Sequence, residues 1–192
     1  GVRRIVYAAS SSAYGDQPFS SKRETDLPAP LSPYAVAKLA GEYYGQAFYQ
    51  TYGLETVCLR YFNVFGPRQD PDSPYSAVIP IFITRLLRGE RPVVYGDGHQ
   101  SRDFTFVQNV VHGNLLAAEA DAAQVAGRTF NLANGRSITL LELIAALNQA
   151  LGTNVQADHQ PPRVGDVRES MADITAATTL LGYAPQVHFD EG

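Results

Sequence analysis

The sequence predicts an α/β fold with a parallel, doubly wound sheet. Two observations carry this. A short apolar run over residues 5–9, an amphipathic stretch over 33–52 and a second apolar run over 56–62 follow one another. Strand, helix and strand in that order make a parallel crossover, since parallel neighbours cannot be joined by a tight hairpin. The composition is ordinary for a folded chain, 45% hydrophobic and 18% charged, and 192 residues suit one domain or one with a small second lobe.

Each element has a local cause. The first strand, residues 5–9, ends in Ser10-Ser11-Ser12, and a loop rich in proline, serine and charge follows over 15–31. Ser32 is a good N-cap, and Pro33 suits a first helical position, where its missing N–H costs nothing. The helix runs to Tyr52, with Gly53 as its stop. Ala40, Tyr44, Phe48 and Tyr52 form one apolar stripe, and Val36, Leu39 and Tyr43 another. Such a helix is covered on two sides, by its own sheet and by either more of its domain or a second copy. After the strand 56–62, the chain leaves the sheet at 63–67. A helix over 77–87, a strand over 92–95, the turn 96–98, a strand over 103–107 and a helix to residue 120 come next. A strand over 129–132 and the turn Asn134-Gly135 follow. Thr139 and Glu142 form a capping box for a helix that Gly152 ends. Asp173 caps a last short helix, stopped by Gly182.

Bulk properties exclude some functions. The net charge of −4 argues against a nucleic-acid groove or an anionic membrane surface as partner. No apolar run reaches membrane-spanning length. No metal site is assigned. Cys58 is the only cysteine and lies in an apolar stretch, so it reads as a small buried hydrophobe, and the reducing cytoplasm is the default setting. A buried-strand pattern begins at once after Gly1, and the chain stops where a further helix cap is expected. It looks cut at both ends.

Tyr34 and Lys38 stand one turn apart at the start of the first helix. Lys38 is one of two lysines among 15 lysines and arginines. A compact ammonium beneath a phenol favours the phenolate, and a phenolate is a general base for an alcohol proton. The pair alone is weak. Its context is stronger, because ligands of such sheets bind at the carboxyl ends of strands, where Ser10, Ser11 and Ser12 lie. The serines read otherwise as partners of loop backbone.

These residues belong to five motifs that, in their order, resemble the extended short-chain dehydrogenase/reductases that act on nucleotide-diphosphate sugars. The first motif is Ala9-Ser10-Ser11-Ser12-Ala13-Tyr14-Gly15-Asp16, and the second is Ser32-Pro33-Tyr34 with Lys38. Arg60 to Pro67 is the third, and Gly96-Asp97-Gly98 with Ser101-Arg102-Asp103-Phe104 the fourth. Arg163-Val164-Gly165-Asp166 with Ala172-Asp173 is the last. The resemblance covers essentially the whole chain. It implies the carboxyl-terminal portion of a Rossmann-like sheet plus a smaller α+β substrate lobe. Residues 1–66 would be the second half of an NAD-binding domain. Residues 67–192 would be mainly the UDP-sugar lobe, with 103–135 returning to the sheet.

The same resemblance implies roles. Tyr34 would take the proton from the sugar 4-hydroxyl, Lys38 would hold the nicotinamide ribose and Tyr34, and Ser10 would bond the 4-oxygen. Ala8, Tyr61, Phe62 and Val64 would join Tyr34 and Lys38 around NAD. Ser11, Ser12, Asn63, Ala77, Val78 and Ser170 would surround the sugar. Arg102 and Arg163 would neutralise the diphosphate, Asp166 would accept from a ribose hydroxyl, and Tyr95 would stack on uracil. A homodimer through the helix 33–52 is also implied. Dehydratases and decarboxylases of this kind carry acidic residues just after the catalytic hydroxyl, where Ser11 and Ser12 stand here and cannot do that acid–base work. What remains is 4-epimerisation. Ser170 stands where a large side chain excludes an N-acetyl group. Together with motifs similar to bacterial UDP-N-acetylglucosamine 4-epimerases, it points to UDP-GlcNAc/UDP-GalNAc over UDP-glucose or UDP-glucuronate. The family's Gly-rich cofactor turn is expected upstream of Gly1, so the chain alone is expected to be too short for turnover, a fragment that only binds nucleotide-sugar.

Overall fold

The structure is a computed structural model that describes residues 1–17, 21–72, 78–163 and 167–192. Strand β1 (Arg4–Ser10) runs into a single 3-10 turn, Ser11–Tyr14, and helix α1 (Pro33–Tyr52) leads to β2 (Glu55–Tyr61). Then come β3 (Val64–Phe65), α2 (Val78–Leu87), β4 (Val93–Tyr95), β5 (Ser101–Asp103) and β6 (Thr105–Phe106). Helices α3 (Val107–Glu119) and α4 (Ala122–Val125) precede β7 (Arg128–Leu132) and β8 (Ser137–Thr139). The chain closes with α5 (Leu140–Leu151), β9 (Asp158–Gln160), β10 (Glu169–Ser170) and α6 (Thr175–Leu181).

The main sheet has the order β1-β2-β7, all parallel, with Arg4 opposite Glu55 and Tyr61 opposite Leu132. Strand β2 is central, and Thr56 to Arg60 are all buried. Helix α1 covers the face of Thr56 and Cys58, and α3 covers that of Val57 and Leu59. Contact with α1 is close. A Cβ at Gly41 would overlap the Tyr7 ring, so only glycine lets the helix sit this low on β1. Under α3, Val57, Leu59, Val110, Ala117, Phe130 and Leu132 share one core with Leu181 and Tyr183 of the α6 end. Each such fully buried aliphatic contributes about 1.5–3 kcal/mol.

A second core joins Phe65, Phe82, Val94, Phe104, Ile138 and Leu143 in the smaller lobe. There β5 pairs in parallel with β10 and antiparallel with β8, and β4 pairs with β9. Where one strand over 103–107 was expected, the chain changes sheets. Strand β5 ends at Asp103, Phe104 turns into the lobe core, and β6 pairs with β3 before α3 begins. The Asp103 carboxylate accepts N–H from Asn134, Gly135 and Ala172, which pins this crossing.

The caps expected of α1 are present. Ser32 Oγ accepts from Ala35 N at 3.1 Å, and Gly53 is left-handed. The Thr139–Glu142 box opens α5. Asp173 differs from expectation. Its carboxylate accepts from Thr175 N, but Ile174 occupies the cap position, so Asp173 sits one residue earlier. Both stripes of α1 are largely uncovered within this chain. Leu39 is buried, whereas Tyr43, Tyr44, Phe48 and Tyr52 are exposed, as is Val36. Among the described residues nothing of this chain covers that face. No helix among them is long and apolar enough to cross a membrane.

Candidate active site

A cavity of about 600 Å³ opens at the carboxyl ends of β1 and β2, beside the first turn of α1. From the expected site it is lined by Ala8, Ser10, Ser11, Ser12, Tyr34, Lys38, Tyr61, Asn63, Val64, Arg102 and Ser170. These come from distant stretches because parallel strands end on one side of the sheet. Arg102 and Ser170 are brought together by pairing across β5 and β10.

Lys38 Nζ donates to the Ala8 carbonyl at 2.8 Å and lies 5.9 Å from the Tyr34 ring centre and 5.6 Å from that of Tyr7. The ammonium is thereby held against the end of β1, between two phenol rings. Tyr34 is 47% exposed at the mouth. Ser10 Oγ accepts from Ser12 Oγ at 2.9 Å and from Ser12 N at 3.2 Å. Both bonds run into Ser10, which leaves its own O–H to donate outwards. Lys22, Lys38 and Arg102 are the charged residues on the wall, and no carboxylate shares it among the described residues. A locally cationic cavity in a chain of net charge −4 suits a polyanion such as a diphosphate.

Other expected residues lie elsewhere. Phe62 is fully buried against Tyr14, ring centres 6.1 Å apart, so its side chain is not part of the wall. Val78 packs against the lobe core at the start of α2. Tyr95 and Arg163 are stacked on each other, guanidinium to ring centre 3.7 Å, and neither lines the cavity. The expected uracil platform is thus covered by the expected phosphate ligand. Ala77 and Asp166 lie outside the described residues. Cys58 is buried under α1, and burial pushes its thiol up to about 12, which makes it inert.

Sequence reasoning missed Tyr14, Lys22 and Gln69 on the wall. Lys22 is 1% exposed and donates to the Gln17 carbonyl at 2.6 Å. Burial pulls its ammonium below the usual lysine range, with Asp16, Asp26 and Glu169 opposing. The rarity that drew notice to Lys38 applied equally to Lys22. Beneath the wall lies a buried ion pair, Arg60 to Glu42, with Nη2 to Oε2 at 2.7 Å. The guanidinium sits 4.6 Å from the Tyr14 ring centre.

Known proteins share this fold and a third or more of its sequence. A curated UDP-glucose 4-epimerase of Mycolicibacterium smegmatis is 38% identical over 194 residues, covering 100% of this chain and 60% of that protein. A UDP-N-acetylglucosamine 4-epimerase from Methanobrevibacter ruminantium, solved with UDP-N-acetylmuramic acid, is 41% identical. It superposes with a TM-score of 0.90 over 96% of this chain and 58% of its own. The UDP-glucose 4-epimerase of Thermotoga maritima, solved with UDP-glucose, gives 0.93 at 40% identity over 100% of this chain and 61% of its own. The chain therefore spans about three fifths of these relatives' length. The profile of the NAD dependent epimerase/dehydratase family matches residues 1–133, the stretch that holds β1, α1, β2 and the Tyr34–Lys38 pair. By that match and these likenesses, the chain belongs to the NAD dependent epimerase/dehydratase family.

Proposed function

We propose that this chain is the substrate-binding and proton-transferring part of an NAD-dependent UDP-hexose 4-epimerase, with UDP-GlcNAc/UDP-GalNAc as the preferred pair. The observation that carries the reading is the joint position of Tyr34, Lys38 and Ser10 on one cavity wall, with Lys38 anchored to the Ala8 carbonyl. The cavity suits NAD at its nicotinamide end. Exposed Tyr34 and anchored Lys38 stand at the cavity mouth with Ala8, Tyr61 and Val64, and these residues would hold the ring and its ribose. Bound there, the dinucleotide supplies a reversible hydride acceptor.

Tyr34, as a phenolate paired with the Lys38 ammonium, takes the proton of the sugar 4-hydroxyl, stays a neutral phenol while the ketone exists, and returns the proton at the end. Ser10 donates its O–H to the 4-oxygen as that becomes a ketone oxygen, the atom where charge changes most. Ser11 and Ser12 supply no acid for elimination, so the ketone leaves only by reduction, from either face. Arg102 faces the diphosphate, where the guanidinium fork suits phosphate oxygens. Ser170, a small residue on the wall beside Arg102, leaves room for an N-acetyl group at C2. Relatives named for UDP-glucose and for UDP-N-acetylglucosamine match about equally well, which supports the coarser reading over any one sugar. The exposed aromatic face of α1 supports a homodimer through that helix.

The test uses the protein extended upstream to its relatives' length and loaded with NAD. Tyr34→Phe should lower kcat by about 10²–10⁴ while UDP affinity is kept. Turnover retained in Tyr34→Phe would remove the proton-transfer assignment. Absence of turnover in the extended parent, with UDP-GlcNAc, UDP-glucose and UDP-glucuronate all tried, would remove the epimerase reading. The 192-residue chain alone should bind UDP-sugar without turnover.

A further inference from the structure

Asn131 lies at the carboxyl-end half of β7, opposite Arg60, and its side chain is fully buried. It does not line the cavity. Its hydrogen bonds nevertheless reach both sides of the cavity's sugar end. Oδ1 accepts from the Tyr14 hydroxyl at 2.6 Å. Nδ2 donates to the Lys22 carbonyl at 2.9 Å and to the Asp173 carbonyl at 3.1 Å. Its backbone N–H donates to Glu24 Oε1 at 2.7 Å.

Each partner leads to the wall. Tyr14 is the last residue of the turn that presents Ser11 and Ser12, and Ser10 caps that turn. Lys22 lies on the wall, and its backbone is stitched to the strand that carries Ser170. Lys22 N donates to Met171 O at 2.8 Å, and Asp173 N donates to Lys22 O at 2.9 Å. One planar amide therefore fixes the serine turn, the Lys22 loop and the Ser170 strand relative to the sheet. Only an amide side chain offers one acceptor and two donors from a single short stem. Aspartate keeps the shape and the acceptor and withdraws both donors. Leucine withdraws all three.

We infer that Asn131 is the positioning residue that sets the distance between the catalytic serine turn and the Ser170 wall, and so the fit of the sugar rather than of the nucleotide. The inference deepens the epimerase reading and rests on it for its kinetic consequences. Arg102 is held independently of this tie, because β5 keeps its antiparallel partner β8 through Arg102–Ile138. Losing the amide donors thus loosens the sugar end selectively.

The test compares the NAD-loaded extended protein with its Asn131→Asp and Tyr14→Phe variants. Amide hydrogen exchange reads the tie directly. In Asn131→Asp, peptides covering 21–25 and 169–173 should exchange faster together, while α5 stays protected. UDP-GlcNAc affinity should fall about tenfold, as an unpaired buried carbonyl implies, and UDP affinity should stay within about twofold. Tyr14→Phe cuts only the link to the serine turn. It should lower kcat about tenfold with KM held, because Ser10 then loses its alignment. Unchanged exchange in both segments would overturn the inference, and so would equal weakening of UDP and UDP-GlcNAc. If Asn131→Asp does not fold, Tyr14→Phe decides alone, and an unchanged kcat there refutes the tie. A parent enzyme without turnover would instead count against the epimerase reading, and the exchange result would still decide whether Asn131 ties the two segments.

Discussion

Glu42 and Arg60 offer the sharpest test of what holds the site in place. Glu42 lies on α1 one turn after Lys38, and Arg60 lies on β2 beneath the cavity wall. Their side chains are 1% and 5% exposed, and they share bonds of 2.9 Å and 2.7 Å. Burial alone would lower the Arg60 guanidinium's affinity for its proton; the bonds to Glu42 and the Tyr14 ring outweigh that and keep it charged. Glu42→Leu removes the counter-charge at nearly constant volume, so no cavity confuses the result. An uncompensated charge left inside costs about 3–5 kcal/mol. At about 2–4 °C per kcal/mol for a chain of this size, Tm should fall by about 6–20 °C. Arg60 Nη1 already lacks a partner, so the remaining guanidinium has little alternative bonding to recover. The double variant Glu42→Leu/Arg60→Met removes both charges and should regain most of the loss, since an apolar pair of similar size replaces a buried ion pair at little cost. Circular dichroism melts and urea titrations of the parent, single and double variants measure this. A single variant within about 1 kcal/mol of the parent would refute the reasoning. So would a double variant no more stable than the single.

Asp103 carries a pH dependence. Burial raises its carboxyl to about 6, against the pull of three backbone N–H donors. Below about pH 4 it is protonated in both the folded and unfolded states. Between about pH 4 and 6 only the unfolded chain ionises, so this group's stabilising contribution declines as pH rises and is gone above about 6. The difference in stability between parent and Asp103→Asn should change by about 3 kcal/mol across that window. A flat difference curve in urea titrations would count against it. Ser170→Tyr should abolish turnover of UDP-GlcNAc in the extended protein and spare UDP-glucose. Equal loss of both would show that the wall beside Arg102 does not face C2.

What the sequence revealed, and what it hid, follows from the range of the interactions involved. Helix α1 was legible to the residue because its signals are local: Ser32 caps, Pro33 starts and Gly53 stops it. The convergence of Ser10, Tyr34 and Lys38 on one cavity was legible for a related reason, since a strand end and the helix after it are adjacent in the chain as well as in space. The short strands β3, β8, β9 and β10 were not legible. Two or three residues carry no periodicity, and their pairing partners lie up to 68 positions away, as Ser170 does from Arg102. The same range explains Tyr95 and Arg163, whose stacking no local pattern encodes. It explains Asn131 most fully. In the sequence it is one asparagine in an apolar strand, which by composition alone is a weak spot. In the fold its amide meets groups from residues 14, 22 and 173, and its backbone meets Glu24. A buried polar residue is retained only where its bonds are met. An isolated amide in a strand otherwise buried is therefore itself a signal that distant segments converge there. Applied to this chain, that rule would have marked Asn131 before any coordinates, and it places the support beneath the cavity wall, as well as the Tyr34–Lys38 rim, within reach of sequence argument.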